Sequence, residues 1–211
     1  MPGTLAQVNL YTSSLAANKK QADPKALYIV WAGSTDYLFG NATNPQQPVE
    51  NLSKAVTTLA NVGAKNIMVL NLADLGKLPR TRNTQFSTQL SMLTNAHNAS
   101  LSTTVKTLSR QLSPKTNIML VDVNTLFKTV SQFPGVFGFT NVTDACFTNN
   151  TVCAKPDQYL FWDDIHPTTS AHKQIQLLAL FVLKSKLNTR QAMLPKNTET
   201  LEIPLKVGYQ Y

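Results

Sequence analysis

Charge is scarce in this sequence. Asp, Glu, Lys and Arg make up 14% of its 211 residues, against roughly 25% in an average soluble domain. The acids are the scarcer sign, 11 against 19 Lys and Arg, which leaves a net charge of +8. A basic balance raises the question of a nucleic-acid partner. The basic residues are scattered, however, and the densest groupings are only Lys19-Lys20, Arg80 with Arg82, and Lys184 with Lys186. No basic stripe with interleaved aromatics exists, so the excess reads as a solvated surface with no nucleic acid implied. Long hydrophobic runs are missing as well. No run of 18 apolar residues occurs, which excludes an integral membrane helix. The opening MPGTLAQVNLYTSSLAANKK has no basic stretch followed by an apolar run, so it does not read as a secretory signal peptide. Cysteine is limited to Cys146 and Cys153, and no further Cys or nearby His completes a zinc set. No metal or other cofactor is expected.

Apolar residues are not scarce. They make up 43% of the chain, enough for one domain with a full core. Three short runs carry continuous apolar, β-rich composition: Ala26 to Trp31, Ile67 to Leu72 and Ile118 to Val123. Such runs predict strands buried on both faces, as in a parallel sheet. Helical spacing fills the intervals. Val49 to Val62 sets Val49, Leu52, Val56 and Leu59 on one face, with Gly63 placed to end the helix. Thr84 to Leu112 carries Phe86, Leu90, Leu93, Leu101, Val105, Leu108 and Leu112 near one stripe. Leu5 to Leu15 and Thr169 to Leu187 are two more helices. Strands alternating with helices predict a layered parallel α/β fold. The segment after the third strand reads as an irregular loop. Residues 1–187 form the expected domain, and residues 188–211, with Pro195 and Pro204, an irregular tail.

Ligands of open α/β sheets bind beyond the carboxyl ends of the strands. The first strand runs into Trp31-Ala32-Gly33-Ser34-Thr35-Asp36-Tyr37, where Gly33 permits a tight turn and small neighbours leave room. A simple strand-to-loop turn explains that spacing equally well. The segment Phe161-Trp162-Asp163-Asp164-Ile165-His166-Pro167-Thr168-Thr169 is more specific. It places one of three histidines three residues after an acid and just ahead of a helix, with Thr168 or Thr169 as N-cap. An Asp at that distance can turn back to accept a bond from the imidazole, which fixes the tautomer a general base needs. The bland reading is a solvated turn histidine. Asp164 rivals Asp163 as the partner. His97 and His172 fall on helices and read as surface or packing residues. Cys146 and Cys153 bracket a small polar loop. They would form a disulfide in an exported protein and stay two thiols otherwise.

Phe161 to Thr168 resembles the last sequence block of the GDSL/SGNH hydrolases, especially the lipase/acylhydrolase branch. Gly33 to Asp36 is similar to that family's Gly-x-Asn-Asp block, and Gly138 to Cys146 also looks like that branch. The resemblance runs collinearly from about residue 2 to residue 187. It implies a three-layer α/β/α, flavodoxin-like fold with strand order 2-1-3-4-5. It also implies an ester hydrolase acting on a small-molecule or lipid ester by serine-type acyl transfer. His166 would be the general base, Asp163 its orienting carboxylate, and Gly33, Thr35 and Asp36 part of the oxyanion and substrate loop. Thr35 stands where the family has an oxyanion-binding Asn. The family's Gly-Asp-Ser-Leu block, which carries the nucleophile, is not found in these 211 residues, and Ser34 is a poor substitute. The activity of this chain alone is therefore expected to be negligible. The alternatives are an inactive remnant or binding module, or a half-enzyme completed by another chain. With the N-terminal strands missing, the strand at Leu27–Trp31 becomes an edge. That edge would promote self-association or accept a complementing N-terminal segment. The family and the disulfide together imply an extracellular or periplasmic setting.

Overall fold

A computed structural model describes residues 3–112 and 114–193. The chain begins with helix α1 (Thr4–Ala17), followed by strand β1 (Leu27–Val30). Next come the short helix α2 (Ser34–Leu38), helix α3 (Gln46–Asn61), strand β2 (Asn66–Leu70) and the long helix α4 (Ser87–Leu112). Strand β3 (Asn117–Val121) leads into helix α5 (Val123–Gln132). Four short strands follow, β4 (Asn141–Ala145), β5 (Phe147–Thr148), β6 (Thr151–Val152) and β7 (Tyr159–Phe161), before helix α6 (Thr169–Met193).

The three sequence-predicted strands form one parallel sheet in the order β1-β2-β3. Alternation along β2 shows why both faces need cover. Ile67 and Val69 join a core with Val49, Leu52 and Val56 of α3 and Leu101, Val105 and Leu108 of α4. Met68 and Leu70 point the other way, toward Phe127 and Val130 of α5 and Ala171 and Ile175 of α6. The result is a three-layer α/β/α architecture, as the strand and helix alternation predicted. Helix α3 ends as expected: Gly63 takes φ +105°, its N–H bonds to Ala60 O, and Ala64 N–H bonds to Leu59 O. This paired closure needs a left-handed residue, which glycine adopts without a Cβ penalty.

Among the described residues β1 pairs only with β2. Ile29, in register with the fully buried Met68, is 57% exposed, and Trp31 is 38% exposed. On α6, Leu177 and Phe181 are also exposed. A groove of about 570 Å³ runs along β1 beneath α1, lined by Val8, Tyr11, Tyr28, Ile29 and Val30 among others. Among the described residues the sheet edge at β1 is open.

Two expectations need correction. The segment after β3 is not one irregular loop. It folds into α5, whose Val123, Phe127 and Val130 are buried at helical spacing, and into the parallel β4–β7 pair. The polar residues between those apolar positions hid the helix from a reading based on apolar runs. The last helix also runs past Leu187, because α6 continues to Met193. Residues 188–193 are helical rather than irregular, and Pro195 and Pro204 lie outside the described residues. The stripe on α4 differs in two respects: Thr94 and His97 are fully buried in it, and Phe86 precedes the helix and is exposed.

Candidate active site

The carboxyl end of β7 leads straight into the turn that carries Asp163 and His166. Local bonds hold this turn. Trp162 N–H donates to His166 O at 2.7 Å, and Phe147 N–H donates to Trp162 O at 2.6 Å. The Trp162 ring stacks on Phe147 with centroids 5.7 Å apart. Thr168 closes the turn as N-cap of α6, its hydroxyl accepting from Ala171 N–H at 3.2 Å and donating to Tyr159 O at 2.6 Å.

Within the turn, the Asp163 carboxylate accepts from Ile165 N–H at 2.8 Å and from His166 N–H at 2.6 Å. It also lies 2.8 Å from His166 Nδ1. A carboxylate only accepts, so Nδ1 carries a proton, and in the neutral ring Nε2 is the nitrogen that keeps its lone pair. Partial burial pushes the Asp163 carboxyl up. The N–H groups of His166 and Ile165 and the His166 side chain outweigh that and hold it below the usual carboxylate value. The His166 side chain is 70% exposed, so its free nitrogen is accessible from outside. Asp164 faces away and pairs with Arg80 at 2.8 Å. The geometry therefore joins Asp163, and not Asp164, to His166.

The second candidate segment is held differently. Gly33 is buried at φ +118°, immediately before α2. A Cβ placed there would lie 2.8 Å from Cε1 of His97. Tyr37, on the last turn of α2, places its hydroxyl 2.9 Å from His97 Nδ1. Burial lowers the His97 pKa to about 4, so the ring is neutral at pH 7. Burial, with a smaller contribution from the Asp36 charge, raises the Tyr37 phenol to about 12. His97 Nε2 is buried and has no hydrogen-bond partner among the described residues. His97 is thus a packing residue, as the sequence suggested, but what it packs is the turn at Gly33. Thr35 is exposed, Ser34 and Asp36 are half-buried, and a hollow of about 130 Å³ lies beside Gly33 and Asp36 under the start of α1.

Both segments lie at the same end of the molecule. Trp31, two residues before Gly33, meets the ring of His172 on the first turn of α6 at 6.3 Å between centroids. Among the described residues no hydrogen bond or ion pair joins Gly33, Thr35 or Asp36 to Asp163 or His166. The structure brings together Asp163 with His166, and Gly33 with His97 and Tyr37. It does not join the two pairs directly.

Sequence reasoning missed a polar brace between the ends of β2 and β3. Asn71 donates to Asp122 at 2.8 Å and accepts from Asn124 N–H at 3.0 Å. Asn98 holds both backbone groups of Leu72, at 3.0 and 2.8 Å. Burial alone would raise the Asp122 carboxyl, but bonds from Thr125, Asn71 and Asn124 lower it. The signal available was a polar residue ending each apolar run, Asn71 and Asp122. Cys146 and Cys153 form a disulfide with Cα atoms 4.9 Å apart. It closes the β5–β6 hairpin, whose Asn149 and Asn150 both take positive φ, as a two-residue turn of this hand requires.

Residues 2–177 match the family described as GDSL-like Lipase/Acylhydrolase. The phosphatidylcholine-sterol acyltransferase of Aeromonas hydrophila is 25% identical over 80% of this chain and 64% of its own length. The thermolabile hemolysin of Vibrio parahaemolyticus is 28% identical over 83% of this chain and 45% of its own. GDSL esterase/lipase 5 of Arabidopsis thaliana is 26% identical over 74% and 49%. The chain thus spans about half to two-thirds of the length of these relatives.

Proposed function

The chain belongs to the GDSL-like lipase/acylhydrolase family, and from that membership we propose that it carries the acid–base half of a serine-type ester hydrolase. The observation that supports this most is the Asp163–His166 pair, with Nδ1 tied to the carboxylate and Nε2 free. In this reading Nε2 takes the proton from a serine hydroxyl as its oxygen attacks the ester carbonyl. The proton then passes to the departing alcohol, and water repeats the exchange on the acyl-enzyme to release the acid. Asp163 steadies the imidazolium. The Gly33 turn supplies backbone donors for the oxyanion. Thr35 reaches it through a water, and the loss of a direct side-chain donor lowers the rate by about 10²–10³. The substrate is a small-molecule or lipid ester, and the disulfide suits an extracellular or periplasmic setting.

No Gly-Asp-Ser-Leu block occurs in these 211 residues, so this segment alone has negligible esterase activity. Turnover of p-nitrophenyl acetate and butyrate by the purified chain tests this, with His166→Ala as control. Turnover that His166→Ala abolishes would reveal a nucleophile inside the chain. A second reading, that another polypeptide segment completes the site, is favoured by the open β1 edge with exposed Ile29 and Trp31. Under it the isolated chain associates through that edge or gains stability from an added segment. Light scattering that finds a monomer whose melt is unchanged by an added serine-bearing segment would leave the remnant or binding-module reading standing.

A further inference from the structure

The Gly33 turn and the Asp163–His166 turn share no direct bond among the described residues, yet one side chain reaches toward both. Arg80 donates from Nη1 to the Asp164 carboxylate at 2.8 Å. Its backbone N–H also donates to the Asp164 carbonyl, at 2.9 Å. Asp164 lies inside the turn that Asp163 and His166 close. The same guanidinium lies over the Phe39 ring, 5.4 Å from its centroid. Phe39 directly follows α2. Its N–H and that of Gly40 both donate to the Thr35 carbonyl at 3.0 Å. A continuous set of contacts thus runs from Thr35 through Phe39 and Arg80 to Asp164.

The backbone beneath Arg80 is well anchored. Leu78 and Thr81 are buried on either side of it. The N–H groups of Thr81 and Arg82 donate to the Leu78 carbonyl at 3.0 and 2.9 Å, and the Thr81 hydroxyl donates to the Leu75 carbonyl. The head group suits two partners at once. A guanidinium can lay its face on a ring while its N–H edge donates in the plane, which an ammonium cannot do. Neither partner has another evident role. Asp163 alone holds His166, so Asp164 is not needed for that bond. Phe39 is 55% exposed and adds little to the core.

We propose that Arg80 is a positioning residue that sets the spacing between the Gly33–Thr35 segment and His166. Its purpose rests on the ester-hydrolase reading, since acyl transfer needs the oxyanion donors and Nε2 at one fixed separation around the carbonyl. Arg80 touches no reacting atom. It acts through Asp164 on one side and Phe39 on the other. The Asp163–His166 turn is closed by its own bonds, so order passes from that turn through Arg80 to the end of α2. An exposed ion pair adds little to global stability. The effect is therefore expected in the local order of residues 35–40 and in the spacing of the two segments, with the melting temperature nearly unchanged.

Amide exchange of the purified chain tests this. Arg80→Met removes both contacts, and exchange at Phe39 and Gly40 should rise about twofold to fivefold, the range that exposed contacts of this kind support. Asp164→Asn leaves Arg80 and Phe39 intact but frees the guanidinium from the turn, and it should raise exchange at the same two amides. It keeps the test open if Arg80→Met folds poorly. Arg80→Lys keeps a charge for Asp164 without the planar face, and should fall between the parent and Arg80→Met. A nitroxide on Thr35→Cys reads the spacing directly, because Cys146 and Cys153 are bonded to each other and leave one thiol to label. It broadens the His166 ring signals according to their separation, and Arg80→Met and Asp164→Asn should both change that broadening. The His166 ring should keep one tautomer throughout, because its bond to Asp163 is local. Unchanged exchange at Phe39 and Gly40 in both variants, or unchanged broadening in both, would overturn the proposal. None of these readouts uses turnover, so failure here is distinct from failure of the ester-hydrolase reading, which the p-nitrophenyl ester assay reports.

Discussion

The Asp163–His166 turn and the Gly33 turn lie at the same end of the molecule, yet they are stabilised in opposite ways. The first is held by its own neighbours. Every donor to the Asp163 carboxylate comes from within three residues. The second depends on a ring 64 residues away in sequence, His97 beneath Gly33, and on the bond from that ring to Tyr37. A locally closed turn is specified by a short motif and tolerates change elsewhere. A turn packed on a distant side chain is only as stable as the long-range fold that brings the two together. The two should therefore fail under different perturbations.

The largest expected effect is at Gly33. Gly33→Ala forces a Cβ into a left-handed backbone and against His97, at a cost of roughly 2–5 kcal/mol. This is a large part of a typical stability of about 5–15 kcal/mol. Urea denaturation checks it. In a His97→Ala background the clash is gone, and the same change should cost only the backbone part, about 1–2 kcal/mol. Equal costs in both backgrounds would show that the ring does not hold the turn.

Acid should separate the two regions next. The His97 pKa falls from 6.5 to about 4 on folding. The unfolded chain therefore binds this proton first, and stability that is complete above pH 6.5 is lost as pH falls toward 4. At about 1.36 kcal/mol per pK unit, the loss is on the order of 3 kcal/mol. Asp163 is depressed instead. Its contribution is present above the ordinary carboxylate value near 3.8 and is lost only as pH falls below it, through the folded pKa. His97→Gln should flatten the stability profile between pH 6.5 and 4 and leave the steeper fall below that. Melting curves across this range that do not change with His97→Gln would contradict the comparison.

The disulfide supports the Asp163 side only. Phe147 and Cys146 donate to Trp162 and Phe161 from the strand that the bridge closes. Replacing Cys146 and Cys153 with Ala frees a short loop, worth about 2.5 kcal/mol in the chain-entropy view. Faster amide exchange is expected at Trp162 and Phe147, with exchange at Tyr37 unchanged. The smallest effect is Asp163→Asn, about 1 kcal/mol in stability. Its clearer signature is in the His166 ring: nitrogen NMR should show one neutral tautomer in the parent chain and a mixture in the variant.

Much of the molecule was legible in order along the chain. Asn66 to Leu70 and Asn117 to Val121 appeared as apolar runs because a strand buried on both faces has little room for polar positions; Leu27 to Val30 is as apolar although Ile29 is exposed. The choice of Asp163 over Asp164 followed family spacing; in the turn Asp163 bonds to His166, and Asp164 pairs with Arg80. Helix α5 was hidden because only three of its ten residues are buried, too few to stand out beside the continuous strand before it. The partners of Gly33 were hidden for a different reason. His97 occupies an apolar stripe of α4 where nothing in the neighbouring sequence marks what it faces.

The sequence by itself determined the layered α/β class, the Asp-x-x-His turn and the closeness of Cys146 to Cys153. Each rests on interactions between residues near one another in the chain, or on a periodicity that burial imposes on every segment alike. Only the tertiary structure decided that His97 lies under Gly33 and that Lys77, Arg82 and Lys128 surround one cleft. Those facts depend on which segments become neighbours once the sheet is assembled. Side chains tens of residues apart carry no local sign of the contact, because the energy that selects it is gained only when the packed layers close.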